Sequence, residues 1–197
     1  MNLSPVTSKS EAEALRNHAM ASVDLGFSGS GKTCGLAVRE AGCIASITKA
    51  LHFGDCVREV AVFSDAAELV LIIEAPLSAA FDIRQNPMSR GTFESSPRPR
   101  WWSLGAGAAM ALAAHHFLRG IMQYSTSANR VHVLEGFVVG ADSVEHDRVA
   151  GHLLDCFLGG VPGNWVTPQG AGLISSLSWA DPSAATECPL ILCPSSA

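Results

Sequence analysis

Four carboxylates fall where the apolar pattern of the chain breaks off: Asp24 after a short apolar run, Glu74 after Leu69 to Ile73, Glu135 at the far end of "RVHVLE", and Asp147 near the start of "HDRVAGHLL". Acids gathered at the ends of structural elements repel one another and lose solvation, which costs several kcal/mol unless a cation joins them. Hard Mg²⁺ or Mn²⁺ is the cation that prefers carboxylate and water oxygens. Two such ions about 3.5–4 Å apart activate a water and stabilise the leaving oxygen of a phosphodiester. Taken singly, an acid at a strand end is ordinarily solvated or capping. The order and placement of all four give the metal reading its weight.

A second motif competes with it. Gly26, Gly31, Lys32 and Thr33 spell G-x-x-x-x-G-K-[ST], the loop whose backbone amides and lysine cradle nucleotide phosphates. Such a loop needs a buried strand before it and a helix starting at Lys32-Thr33. Asp24 would put a carboxylate close to the phosphates, and "KTCGLAVREAG" has its apolar residues two apart, a strand spacing with Gly35 in what would be the first helical turn. "LVLIIE" could act as a Walker-B-like strand with Glu74 on Mg²⁺, so an ATP-dependent kinase or NTPase using Gly31, Lys32 and Thr33 stands as the alternative.

The elements that must position these groups are legible in part. Val23 and Leu25, a Gly/Ser turn, then Leu36 and Val38 predict two strands joined by a hairpin. A third strand is expected within Ile44 to Phe53, and "FSDAAEL" reads as a cap and a helical turn. Leu69 to Ile73 is a strand covered on both faces. Residues 79–100 are rich in turn formers and carry Arg84, Arg90, Arg98 and Arg100, so a long loop is expected. With Trp101 and Trp102 beside them, these arginines, and Lys32, are candidates to touch phosphates and stack a base; the plainer reading is a solvated loop whose tryptophans anchor a helix. "WWSLGAGAAMALAAHHFLRGIMQY" reads as a helix, "RVHVLEGFVV" as a strand, and Val149, Leu153 and Phe157 as one face of a last helix. Strand, hairpin, strand, then alternating strands and helices predict a mixed α/β fold with antiparallel first strands and parallel later ones.

"VDLGFSG", "VLIIEAPLS" and a late helix with "HDRVAGHLL" resemble the RNase H-like superfamily, and "IIEAPLSAAFD", "NP", "RG", "WW", "LEGFV" and "HDRVA" are similar to a group of uncharacterised bacterial proteins predicted to be RNase H-like nucleases. The resemblance covers roughly residues 22–158. It implies an RNase H-like sheet flanked by helices, Mg²⁺ or Mn²⁺ held by Asp24, Glu74 and Asp147, and phosphodiester hydrolysis. His146 is implied as an adjacent ligand or proton-transfer group, and Glu135 as a further acid. The chain departs from the pattern after Asp147, where Arg148 and Val149 stand in place of another acid. A member that keeps the fold and binds nucleic acid or a protein without cleaving is the third reading.

With 197 residues the chain is read as residues 1–20, flexible or helical through a capping box at Ser8 and Glu11, a domain over 21–160, and a Gly/Pro/Ser-rich segment over 161–197 with an edge strand near "PLILC". A net charge of -5 argues against a broad polyanion-coating surface but leaves room for a local basic loop. The six cysteines show no C-x-x-C pair and read as reduced, mostly buried residues of a cytoplasmic protein. The polar start and the short apolar stretch at Leu104 to Ala114 give no signal peptide or membrane span. Oligomeric state is not legible.

Overall fold

The unbroken apolar run before Glu74 forms strand β5 (Leu69–Glu74), whose five apolar residues are all buried because helices cover both of its faces. The computed structural model describes residues 1–26, 31–90, 94, 106–138, 145–180 and 187–194, with only the backbone of Ala106 and Trp179. Strands β2 (Ala19–Asp24) and β8 (Arg130–Gly136) flank β5 and run parallel to it. β3 (Cys34–Arg39) returns antiparallel along β2, and β4 (Ile47–Leu51) antiparallel along β3. Beyond β8 lie β11 (Ile191–Pro194), parallel to it, and β9 (Gly163–Val166), antiparallel to β11. The order is therefore β4-β3-β2-β5-β8-β11-β9, a mixed sheet with its antiparallel strands at the start of the chain and at the far edge.

The segment before Ala19 is more than a flexible or helical lead. β1 (Asn2–Pro5) pairs parallel with Arg130 to Val133 of β8, and β11 takes over the same edge from Glu135. Val6 marks the change: its carbonyl accepts from the Leu190 amide at 2.7 Å. β11 is thus an interior strand, covered by β9, rather than the edge strand expected near "PLILC". Four-residue segments such as these owe their conformation to the partner strand, which local sequence does not reveal. Helix α1 (Lys9–Ala14) does follow the capping signal: Ser8 Oγ accepts from the Glu11 amide at 3.2 Å, and Glu11 Oε2 accepts from the Thr7 amide at 2.9 Å.

Side chains alternate across the sheet, and each face has its own core. Ala21, Val23, Leu71, Ile73, Val131 and Val133 pack with helices α2 (Phe53–Ala66) and α3 (Ala106–Tyr124). Met20, Val70, Ile72 and Leu134 pack with α4 (His146–Leu158) through Val149, Leu153 and Phe157. The helical turn expected to begin near Phe63 is instead the end of α2, whose buried stripe runs through Cys56, Val57, Val60, Ala61 and Ser64. α4 stops at Gly159, whose φ of 87° is the left-handed conformation glycine adopts without strain.

Residues 79–100 are not all loop. β6 (Ser78–Phe81) pairs antiparallel with β7 (Pro87–Met88) and with β10 (Gly172–Ser175), forming a separate three-stranded sheet. Its Ala- and Ser-rich strands show no periodicity, and β10 lies far along the sequence. A short helix, α5 (Leu177–Ala180), follows β10. All six cysteines are free, and four of them are buried. Among the described residues no helix is long and apolar enough to cross a membrane.

Candidate functional site at the ends of β2 and β5

Asp24 and Glu74 are register partners in the parallel β2–β5 ladder. Neighbouring strands run about 4.8 Å apart, so the two acids leave the sheet side by side. Asp24 has the parity of Met20, and Glu74 that of Val70 and Ile72, which places both on the α4 face at the carboxyl ends of their strands. That end of an open α/β sheet is where ligands are ordinarily bound. The Val138 amide donates to Glu74 Oε1 at 3.4 Å.

α4 delivers the next group. His146 Nδ1 lies 2.7 Å from Asp24 Oδ2, with the Asp24 side chain 8 % exposed and the imidazole 41 % exposed. An ionised carboxylate only accepts, so opposite ionised Asp24 it is Nδ1 that donates, which leaves Nε2 turned away from Asp24. The approach depends on Gly35, the register partner of Asp24 on β3: a Cβ there would stand 1.9 Å from the His146 carbonyl oxygen and 2.5 Å from the Asp147 nitrogen. A glycine inside a strand is the sequence signal for such a close backbone approach. Burial pushes the Asp24 carboxyl above its ordinary range, and the neighbouring imidazole only partly offsets this.

The other predicted residues divide. Asp147 follows His146 in the first turn of α4, and its Oδ1 accepts from the Arg148 amide at 3.0 Å. Glu135 does not join the group. It shares the parity of Val131 and Val133, faces away from α4, and is fully buried, so its role as a further acid beside Asp24 is corrected. A strand-end position was readable in the sequence, but the face was not, because that depends on register with β5. Arg90 is likewise no exposed phosphate contact: it is fully buried and bound to Glu94, Glu135 and Ser78. Lys32 and Arg84 are exposed, whereas Arg98, Arg100 and Trp101 lie outside the described residues. His116 stacks on Phe53 with centroids 5.6 Å apart, a packing role on α3.

The helix required by a phosphate loop is not there. Residues from Cys34 onward form strand β3, paired with both β2 and β4, so Gly31, Lys32 and Thr33 lead into a strand. The backbone amides of a helix N-terminus, which would hold the phosphates, are missing at that position.

Two carboxylates side by side suit a hard divalent cation that keeps several of its waters. Among the described residues, no group of three or more His, Cys, Asp or Glu side chains is arranged to hold a metal ion. In comparisons with known proteins, no family model, no curated protein and no solved structure matches the chain.

Proposed function

We propose that this protein is a divalent-metal-dependent nuclease of RNase H-like architecture, which hydrolyses phosphodiester bonds with Mg²⁺ or Mn²⁺ at Asp24 and Glu74. The observation that carries the reading is the in-register placement of these two acids on one face, at the carboxyl ends of adjacent parallel strands, with His146 bonded to Asp24. Mg²⁺ is commonly held by one or two carboxylates, with water and substrate phosphate completing the shell, so a closed cage of protein ligands is not required. Asp147 is the third ligand that the family resemblance implies. When bound, metal in a two-ion-type arrangement supplies the Lewis acidity that acidifies a water and stabilises the leaving oxygen.

The chain's own residues do the rest. Asp24 and Glu74 fix where charge is held, and the burial of Asp24 keeps competing water low. His146 donates its Nδ1 proton to Asp24 and so sets the direction of that carboxylate. Its Nε2, on a half-exposed ring, is available to take a proton from the attacking water or return one to the leaving oxygen. The amino end of α4, which begins at His146, favours an anionic phosphate group in front of it. The exposed Lys32 and Arg84 are suited to backbone phosphates at the rim.

The test is a cleavage panel of single- and double-stranded DNA and RNA and a branched junction, assayed in Mg²⁺ and Mn²⁺ with the parent, Asp24→Asn, Glu74→Gln and Lys32→Ala. Metal-dependent cleavage lost in the two acid variants and kept in Lys32→Ala is expected. ATP binding that disappears in Lys32→Ala would overturn the reading in favour of a phosphotransferase. Metal binding without cleavage of any substrate would make the protein an inactive, binding member of the same architecture.

A further inference from the structure

The turn that follows Glu74 is held at two points. The Ala75 amide donates to the Ile73 carbonyl at 2.9 Å, closing a three-residue turn centred on Glu74 itself. Pro76 follows, with a fixed φ and no amide proton. The next amide, that of Leu77, donates at 2.8 Å to Oε2 of Glu135, a side chain from the adjacent strand. The Leu77 carbonyl in turn accepts from the Ser176 amide at 2.9 Å.

Glu135 also accepts from Arg90 Nη1 at 2.6 Å, and this ion pair alone does not account for the acid. Glu94 already takes three hydrogen bonds from Arg90: from its amide at 2.6 Å, Nε at 2.8 Å and Nη2 at 2.6 Å. Among the described residues two carboxylates therefore face one buried guanidinium, and Glu135 Oε1 is buried without a hydrogen-bond partner. A second buried carboxylate is unfavourable as charge alone. What Glu135 supplies that Glu94 cannot is the acceptor for the Leu77 amide.

We propose that Glu135 is a positioning residue, which binds the Leu77 amide and thereby fixes the turn that aims Glu74 into the metal site. The proposal rests on the metal reading of Asp24 and Glu74. Arg90, steadied by Glu94 and by Ser78 Oγ at 2.9 Å, holds the Glu135 carboxylate in the orientation that reaches Leu77. Removing the Glu135 charge leaves a balanced Arg90–Glu94 pair, so a fold that survives the substitution is expected.

The experiment measures Mn²⁺ affinity, by the electron paramagnetic resonance of free Mn²⁺, alongside hydrogen exchange of the Leu77 amide. The proteins are the parent, Glu135→Gln, Glu135→Leu, Glu135→Met and Asp24→Asn, each checked for folding by thermal melting. Gln keeps an acceptor for the amide and holds Mn²⁺ affinity to within about threefold of the parent, whereas Leu and Met weaken it about tenfold, the scale of an outer-shell loss. Leu77 exchange is faster in Leu and Met than in Gln by about tenfold or more, as a freed amide requires. Parent-like affinity in Glu135→Leu, equal losses in Gln and Leu, or unfolding of both Leu and Met overturns the positioning role. Failure of the parent to bind Mn²⁺ overturns the metal reading and the proposal with it. The two failures are told apart by the parent titration, with Leu77 exchange reporting separately whether Glu135 fixes the turn.

Discussion

His146 Nδ1 and Asp24 Oδ2 meet at 2.7 Å although 122 positions separate the residues in the chain. The contact exists because β3 presents a glycine where the amino end of α4 crosses it, letting helix backbone rest on strand backbone. Gly35→Ala is therefore expected to lift α4 from β2 and β3. A Cβ would stand 1.9 Å from the His146 oxygen, and overpacking of this kind costs about 3 kcal/mol. Gly151→Ala, on the same helix, places its Cβ 3.3 Å from Thr48 Cγ2 and is expected to be near neutral. Urea denaturation of both variants checks the contrast.

Leu153 ties α4 to the sheet from its middle. Its side chain is fully buried over Gly136, where a Cβ would come within 2.8 Å of Leu153 Cδ1. Leu153→Ala is expected to cost about 2–5 kcal/mol through lost burial and the cavity left behind. A loss below 1 kcal/mol in the same denaturation experiment would contradict this packing.

Arg90 offers a choice between two roles. As a buried partner of Glu94 and Glu135, its loss in Arg90→Leu strands two carboxylates and is expected to destabilise the fold by about 3–5 kcal/mol. Arg84→Ala, at an exposed position, is expected to lie within about 0.5 kcal/mol of the parent. Equal, small effects would return Arg90 to the surface role read from sequence.

Asp65 gives the clearest pH dependence. Its carboxylate accepts from Ser125 Oγ, the Thr126 amide and hydroxyl, and the Ser127 amide, and these bonds hold its pKa down at about 2. The folded value lies below that of the unfolded chain, about 3.9, so the stabilisation is full above that pH. It is lost as pH falls from about 4 toward 2. Asp65→Asn is expected to flatten that part of the stability profile, read by thermal melts between pH 2 and 5.

Strands β2, β3, β4, β5 and β8, the pairing of β2 with β3 and the amphipathic helix α4 were legible because runs such as Leu69 to Ile73 and the Val149, Leu153, Phe157 spacing carry their own period. Asp24 and Glu74 were legible as strand-end acids for the same reason. Glu135 looked equivalent to them, but facing is decided by register across β5 and β8, and it emerged on the other side with Arg90. β6, β7 and β10 went unread because short Ala-, Ser- and Gly-containing strands take their shape from partners distant in sequence. The phosphate-loop spelling at Gly31, Lys32 and Thr33 misled in the opposite sense: it is local, whereas the strand that follows is dictated by pairing on both edges.

The most direct measurement is a crystal of the parent protein soaked in MnCl₂ and read by anomalous scattering at the manganese edge, with an Asp24→Asn crystal as control. A peak at the Asp24 and Glu74 carboxylates, absent from the control, is the expected result. No peak there, or one unchanged by Asp24→Asn, contradicts a metal-dependent site at the ends of β2 and β5.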